Sequence, residues 1–148
     1  MMENKKLKYY QIVLEGIDKS GKDIIAKYIF NLDKRLYAIA RGYPTMVAYA
    51  KKFKRNCIYP YPNKDIIYIY CTVDKEDWKI RCLTTNEPKI NYEEDSKYFD
   101  DVFEDLNNKG YITFEINTSY ITPYVAAKRI INFVHYLNGE IKNEDYII

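Results

Sequence analysis

Gly16, Gly21 and Lys22, in the stretch Gly16-Ile17-Asp18-Lys19-Ser20-Gly21-Lys22, are the residues with the clearest chemistry. Glycines at both ends of a short loop let the backbone turn its N–H groups inward, and the lysine after the second glycine adds a compact positive charge. That spacing wraps a phosphate chain, with Lys22 reaching toward the β- and γ-phosphates of a nucleotide. The bland alternative is a glycine turn that holds no ligand. Context favours the first reading. An apolar run, Tyr9 to Glu15, feeds the loop, and Ile24, Ile25, Tyr28, Ile29 and Leu32 follow at helical spacing from a start near Lys22. Strand in, helix out is the setting a phosphate loop requires. The next position, where a Ser or Thr hydroxyl usually holds magnesium, is Asp23.

The elements that must position this loop can be read onward. Leu36 to Ala40 is a second short strand, stopped by Arg41-Gly42, and Pro44 opens a helix with Val47, Ala48 and Phe53 toward the core. Pro60 and Pro62 precede Asp65 to Val73, an almost unbroken apolar run that suits a strand covered on both faces. Asp74 is placed to cap the following helix, with Asp77 as its capping-box partner. Phe99, Val102, Phe103 and Leu106 form a helical stripe that ends at Asn107 to Gly110, and Tyr111 to Ile116 is the last strand. Thr122-Pro123 opens a final helix whose inner face carries Ala127, Ile130, Ile131, Val134 and Leu137. Strands alternating with helices predict an α/β fold: a P-loop NTPase three-layer αβα sandwich on a short, four-stranded parallel sheet. Ligands of such sheets bind at the carboxyl ends of the strands, where the glycine loop falls.

Composition narrows the functional classes. The 148 residues fit one domain, and 47% hydrophobic with 30% charged residues is the balance of a soluble globular chain. A net charge of +2 gives no electrostatic case for nucleic acid or membrane, and no apolar run reaches the roughly 20 residues of a membrane span. Lys51 to Arg55 is a local basic run, read as a solvated helix end rather than a nucleic-acid contact. Met1 to Lys6 lacks the apolar core of a signal peptide, so a cytoplasmic location is expected, in a host cytoplasm if the source is viral. Cys57, Cys71 and Cys82 form no CxxC pair, which argues against a disulfide framework or zinc site, and Cys71 reads as a buried strand residue. His135, the single histidine, lies in an apolar helical stretch and reads as packing or surface. The 17 tyrosines, with abundant Ile, Lys and Asn, fit AT-rich codon usage and are read as core and half-buried surface. The tail from Gly139 to Ile148 is either a loose end or a docking strand.

The stretch "IVLEGIDKSGK" resembles the phosphate loop of the thymidylate kinase family, and three further stretches follow in that family's order. Arg41, Thr45, Ala48 and Tyr49 have the spacing of the family's Asp-Arg motif with its trailing Ser, Ala and Tyr. "DIIYIYCTVDKEDWKIR" is similar to the strand and helix that carry an arginine at the base of the lid, here Arg81. "GYITFEINTSYITPYVAAKRIINFV" is similar to the last strand and helix. The resemblance implies transfer of the γ-phosphate of ATP, with Mg2+, to dTMP or a related deoxynucleotide. It implies that Gly16, Ile17, Asp18, Lys19, Ser20, Gly21, Lys22 and Asp23 hold the donor, with Asp23 at the metal. Arg41 would grip the acceptor phosphate, with Asp18, Thr45 and Tyr49 beside the acceptor. Lys19, Lys22, Arg41 and Arg81 would stabilise the transferring group. A homodimer is the family's common assembly.

Four departures qualify that expectation. Asp23 replaces the magnesium-binding hydroxyl, and Ala40 stands where the family has the Asp of its Asp-Arg pair. The lid stretch Thr84 to Ile90 has Lys89 as its one cation. The segment from Phe30 to Arg41 is too short for the strand and helices that usually build the acceptor site, so the acceptor pocket loses a wall that a partner chain could supply. The competing expectation is therefore a catalytically degenerate P-loop protein, serving as a nucleotide-binding or scaffold subunit.

Overall fold

A computed structural model describes residues 7–56, 58–83 and 91–141. Cys57, the lid stretch with Lys89, Met1 to Lys6 and the tail beyond Ile141 lie outside the described residues. The chain runs β1 (Gln11–Glu15), α1 (Lys22–Leu32), β2 (Tyr37–Ala40), α2 (Tyr43–Lys52), β3 (Ile67–Thr72), α3 (Lys75–Cys82), α4 (Tyr92–Asn108), β4 (Ile112–Asn117) and α5 (Pro123–Leu137). All strand pairings are parallel, in the order β2-β1-β3-β4. Glu15 lies opposite Tyr70, and Leu14 lies opposite both Ile69 and Ala40.

Alternation along the strands sorts the core into two layers, because successive side chains leave opposite faces of a sheet. Ile12, Leu14, Ile69 and Cys71 meet Ile25 and Ile29 of α1 and Ala127, Ile130 and Val134 of α5. Val13, Tyr68 and Tyr70 meet Ala48 of α2 and Phe99, Val102, Phe103 and Leu106 of α4. The Tyr70 ring stacks on Phe103 at 4.5 Å, and its hydroxyl donates to Asp100 at 2.6 Å. Tyr68 and Tyr70 of β3 are therefore core residues, and the Tyr70 hydroxyl finds a partner. Helices cover both faces, and the order reverses direction between β1 and β3, which places the crevice at the carboxyl end of β1.

Several local expectations are corrected. Asp74 sits at the head of α3 without capping it; its carboxylate accepts from Asn117 at 3.0 Å and from the Tyr120 hydroxyl. Those partners, at the end of β4 and just after it, outcompete the local N–H groups. Phe53 ends α2 with 55% of its surface exposed, its ring flanked by Lys52 and Arg55 rather than packed in the core. The inner face of α1 is Ile25, Ala26 and Ile29, while Ile24 and Tyr28 turn outward and Tyr28 meets Tyr124 edge-on. Thr122 caps α5 as expected, accepting from the Val125 N–H. His135 is structural: its ring joins Asp33 at 2.7 Å and Glu140 at 2.6 Å, with Arg35 alongside, and ties the end of α5 to the turn after α1.

Candidate functional site

The loop between β1 and α1 owes its shape to backbone conformations that glycine adopts cheaply. Gly16 has φ 152°, and a Cβ built there would stand 2.3 Å from the Cys71 carbonyl oxygen of β3, so a side chain is excluded. Gly21 has φ 92° and provides no side-chain cap for α1. Lys19, between them, also has a positive φ, 70°. Ser20 closes the turn with its N–H on the Ile17 carbonyl at 3.1 Å, and its buried hydroxyl has no hydrogen-bond partner.

The first turn of α1 is left open. Among the described residues no protein acceptor takes the N–H of Gly21, Lys22, Asp23 or Ile24, and Ile25 is the first to bond back, to the Gly21 carbonyl at 3.2 Å. Four backbone donors at a helix N-terminus form an anion site. Lys22 is only 2% exposed, and its ammonium bridges the Gly16 and Ile17 carbonyls at 3.0 and 3.1 Å. Burial, then the Arg41 charge, holds its pKa below the ordinary lysine range, while Asp18, Asp23 and Glu15 pull the other way. A cavity of about 280 Å³ is lined by Asp18, Lys19, Gly21, Lys22, Asp23 and Arg41.

Arg41 leaves β2 with φ 71°, a left-handed conformation that costs an arginine roughly 1–3 kcal/mol. Its guanidinium lies 3.6 Å from Asp18 and 3.4 Å from Asp23. Thr45 turns its hydroxyl to Glu15, and Gly42 gives its N–H to the other oxygen of the same carboxylate. Tyr49, half-buried against Phe53 and Phe99, has a phenol within the fields of Asp18 and Arg41, and burial raises its pKa. Across the loop, Arg81 of α3 donates to the Lys19 carbonyl at 2.8 Å and to the Thr118 hydroxyl and carbonyl at 3.0 Å each. The Thr118 hydroxyl donates to the Ser20 carbonyl at 2.7 Å. This clamp borders a second cavity of about 470 Å³, apolar on Ile24, Ile25, Ile80, Ile121, Pro123 and Ala126.

Sequence-selected residues thus gather around one loop: Gly16 to Asp23 form it, Arg41 and Tyr49 stand on its β2 side, and Arg81 stands on the other. Two residues escape sequence reasoning. Glu15 carries a signal, a carboxylate ending an apolar strand directly before the loop glycine. Thr118 carries none, since its contact to Ser20 spans 98 positions. The described residues contain no group of three or more His, Cys, Asp or Glu that could cage a metal. Asp23 lines the phosphate cavity as a single carboxylate beside Arg41, and Mg2+ is a cation that takes one or two carboxylates together with waters and substrate phosphates.

The fold is similar to the crystal structure of the YorR protein from Bacillus subtilis in complex with phosphorylated GDP, with a TM-score of 0.68 and 19% sequence identity. The match covers 89% of this chain and 99% of that one. At that identity the likeness establishes the architecture, a P-loop-like αβα sandwich, and not the thymidylate kinase family. No family model and no curated protein matches the chain. No described helix is long and apolar enough to cross a membrane.

Proposed function

We propose that the chain is a thymidylate kinase-like nucleoside monophosphate kinase, transferring the γ-phosphate of ATP to dTMP or a related deoxynucleotide. The observation that carries this reading is the open first turn of α1: four unpaired N–H groups around a buried lysine, between an apolar cavity and an arginine. The base of the donor occupies the cavity beside Arg81, its phosphates lie on the Gly21 to Ile24 amides, and Lys22 exchanges a loop carbonyl for a phosphate oxygen. Arg41 and Tyr49 face the acceptor. An acceptor phosphate oxygen bonds to the γ-phosphorus, the bond to the β-phosphate oxygen breaks, and ADP leaves. Bound at Asp23, Mg2+ supplies neutralisation of charge on the donor phosphates. A bound nucleotide of the YorR structure agrees with a nucleotide site in this fold.

A second reading has its own support. Asp18 and Asp23 both engage Arg41, and only residues 33–36 join α1 to β2, which leaves the acceptor side without the usual wall. The chain then binds nucleotide without turnover, or completes its acceptor site with a second chain. ADP production from ATP and Mg2+, with and without dTMP, separates the readings. The kinase reading expects ADP release that depends on dTMP. No turnover with any deoxynucleoside monophosphate, alongside nucleotide-induced stabilisation, leaves the binding subunit.

A further inference from the structure

We infer that Glu15 is the positioning residue for Arg41, setting the guanidinium at the phosphate cavity through the backbone of residues 41 and 42. The inference rests on the kinase reading only for what Arg41 would grip; the coupling itself is a property of the free protein.

The geometry is a two-point anchor. The Arg41 N–H donates to the Leu14 carbonyl at 3.0 Å, and the next N–H, of Gly42, donates to the Glu15 carboxylate. Consecutive residues at the end of β1 thus hold consecutive N–H groups across a left-handed residue. A non-glycine residue keeps such a conformation only where its surroundings over-determine it. The close approach is built in, because a Cβ at residue 42 would lie 2.9 Å from a Val13 methyl group. The other oxygen of Glu15 takes the Thr45 hydroxyl, so the same carboxylate fastens the first turn of α2. Glu15 is fully buried and precedes Gly16, so one side chain joins the phosphate loop to the segment bearing Arg41.

The carboxylate accepts in both directions only when ionised, and its surroundings oppose ionisation. Burial pushes its pKa up to about 7 against the Thr45 and Gly42 hydrogen bonds and the Lys22 charge. The other titratable groups facing it are Tyr49 of α2 and Tyr68 and Cys71 of β3. Burial raises the pKa of all three, so they stay neutral across the range. Asp18 and Asp23 face Arg41 itself. Protonation of Glu15 leaves the Thr45 hydroxyl free to turn and accept, and strips the Gly42 hydrogen bond of its charge assistance, which loosens that anchor and lets Arg41 relax.

The test is an NMR pH titration of the ligand-free protein from pH 5.5 to 8.5. The Gly42 amide proton and the Arg41 Nε–H signal are expected to move together, with one shared midpoint near pH 7. In Glu15→Gln neither moves. In Thr45→Val, which removes a hydrogen bond that favours the carboxylate, the shared midpoint shifts upward. Arg41 signals that ignore pH while Gly42 titrates, or that still titrate in Glu15→Gln, overturn the inference. Adding MgATP to the Glu15→Gln sample as well and following the Lys22 to Ile24 amides tests the nucleotide reading separately, since that variant keeps the loop amides whether or not Arg41 is anchored.

Discussion

Around the phosphate loop, charge is nearly balanced: Lys22 and Arg41 face Asp18, Asp23 and Glu15. Lys22 is held by two carbonyls rather than by a carboxylate, so an incoming phosphate displaces weak acceptors and not an ion pair. Lys22→Ala is expected to cut dTMP-dependent ADP production by roughly two to three orders of magnitude, the loss typical of one preorganised stabilising group. An unchanged rate would remove Lys22 from the chemistry. Asp23 makes a different prediction, because without metal its carboxylate repels the donor. Asp23→Asn should bind metal-free ATP about threefold to tenfold more tightly, the effect of one like charge at a half-exposed site. The same variant should gain less from added Mg2+. Calorimetric titration with Mg2+ and with EDTA measures both, and an unaltered Mg2+ increment excludes Asp23 as a metal ligand.

Elements were legible where a periodic apolar pattern met a local stop signal. The unbroken run ending at Val73 marked β3 as doubly covered, and Tyr68, Ile69 and Cys71 are buried in alternate layers. Thr122-Pro123 marked the start of α5, and the Thr122 hydroxyl does cap it. Pattern alone misplaced Phe53, because a helix end projects a side chain away from the core even when its spacing fits. Asp74 was misread because its real partners, Asn117 and Tyr120, arrive from a distant segment. The candidate site divides the same way: Gly16 to Asp23 are local, while Glu15–Thr45 and Ser20–Thr118 depend on folding. Stability should follow this division. Ile130→Ala, emptying a fully buried position of α5, is expected to cost about 2–5 kcal/mol. Thr122→Ala, losing one cap bond, is expected to cost about 1 kcal/mol. Urea unfolding ranks the two, and equal losses contradict the packing described for α5.

For the molecule as a whole, the sheet buries a carboxylate, that of Glu15, whose titration opposes that of the surface. Hydrogen bonds from Arg35 and from Lys109 lower the pKa values of Glu140 and Asp105, so those groups favour the fold above the ordinary carboxylate range and lose that effect in acid. Both keep a third or more of the side chain in solvent, and screening keeps their effect small. Glu15 has the reverse sign. Its pKa in the fold lies near 7 against 4.5 as its unperturbed value, so the folded chain binds a proton that the unfolded chain has released. Its contribution is fully present below pH 4.5 and is lost as pH rises toward 7, by roughly 3 kcal/mol at most. Unfolding free energies at pH 5.0 and 7.5 should therefore fall in the wild type and fall much less in Glu15→Gln, the difference cancelling every other titrating group. Parallel curves for the two proteins would mean that Glu15 ionises as readily in the fold as in water, and its protonation would then not be what releases Arg41 near neutral pH.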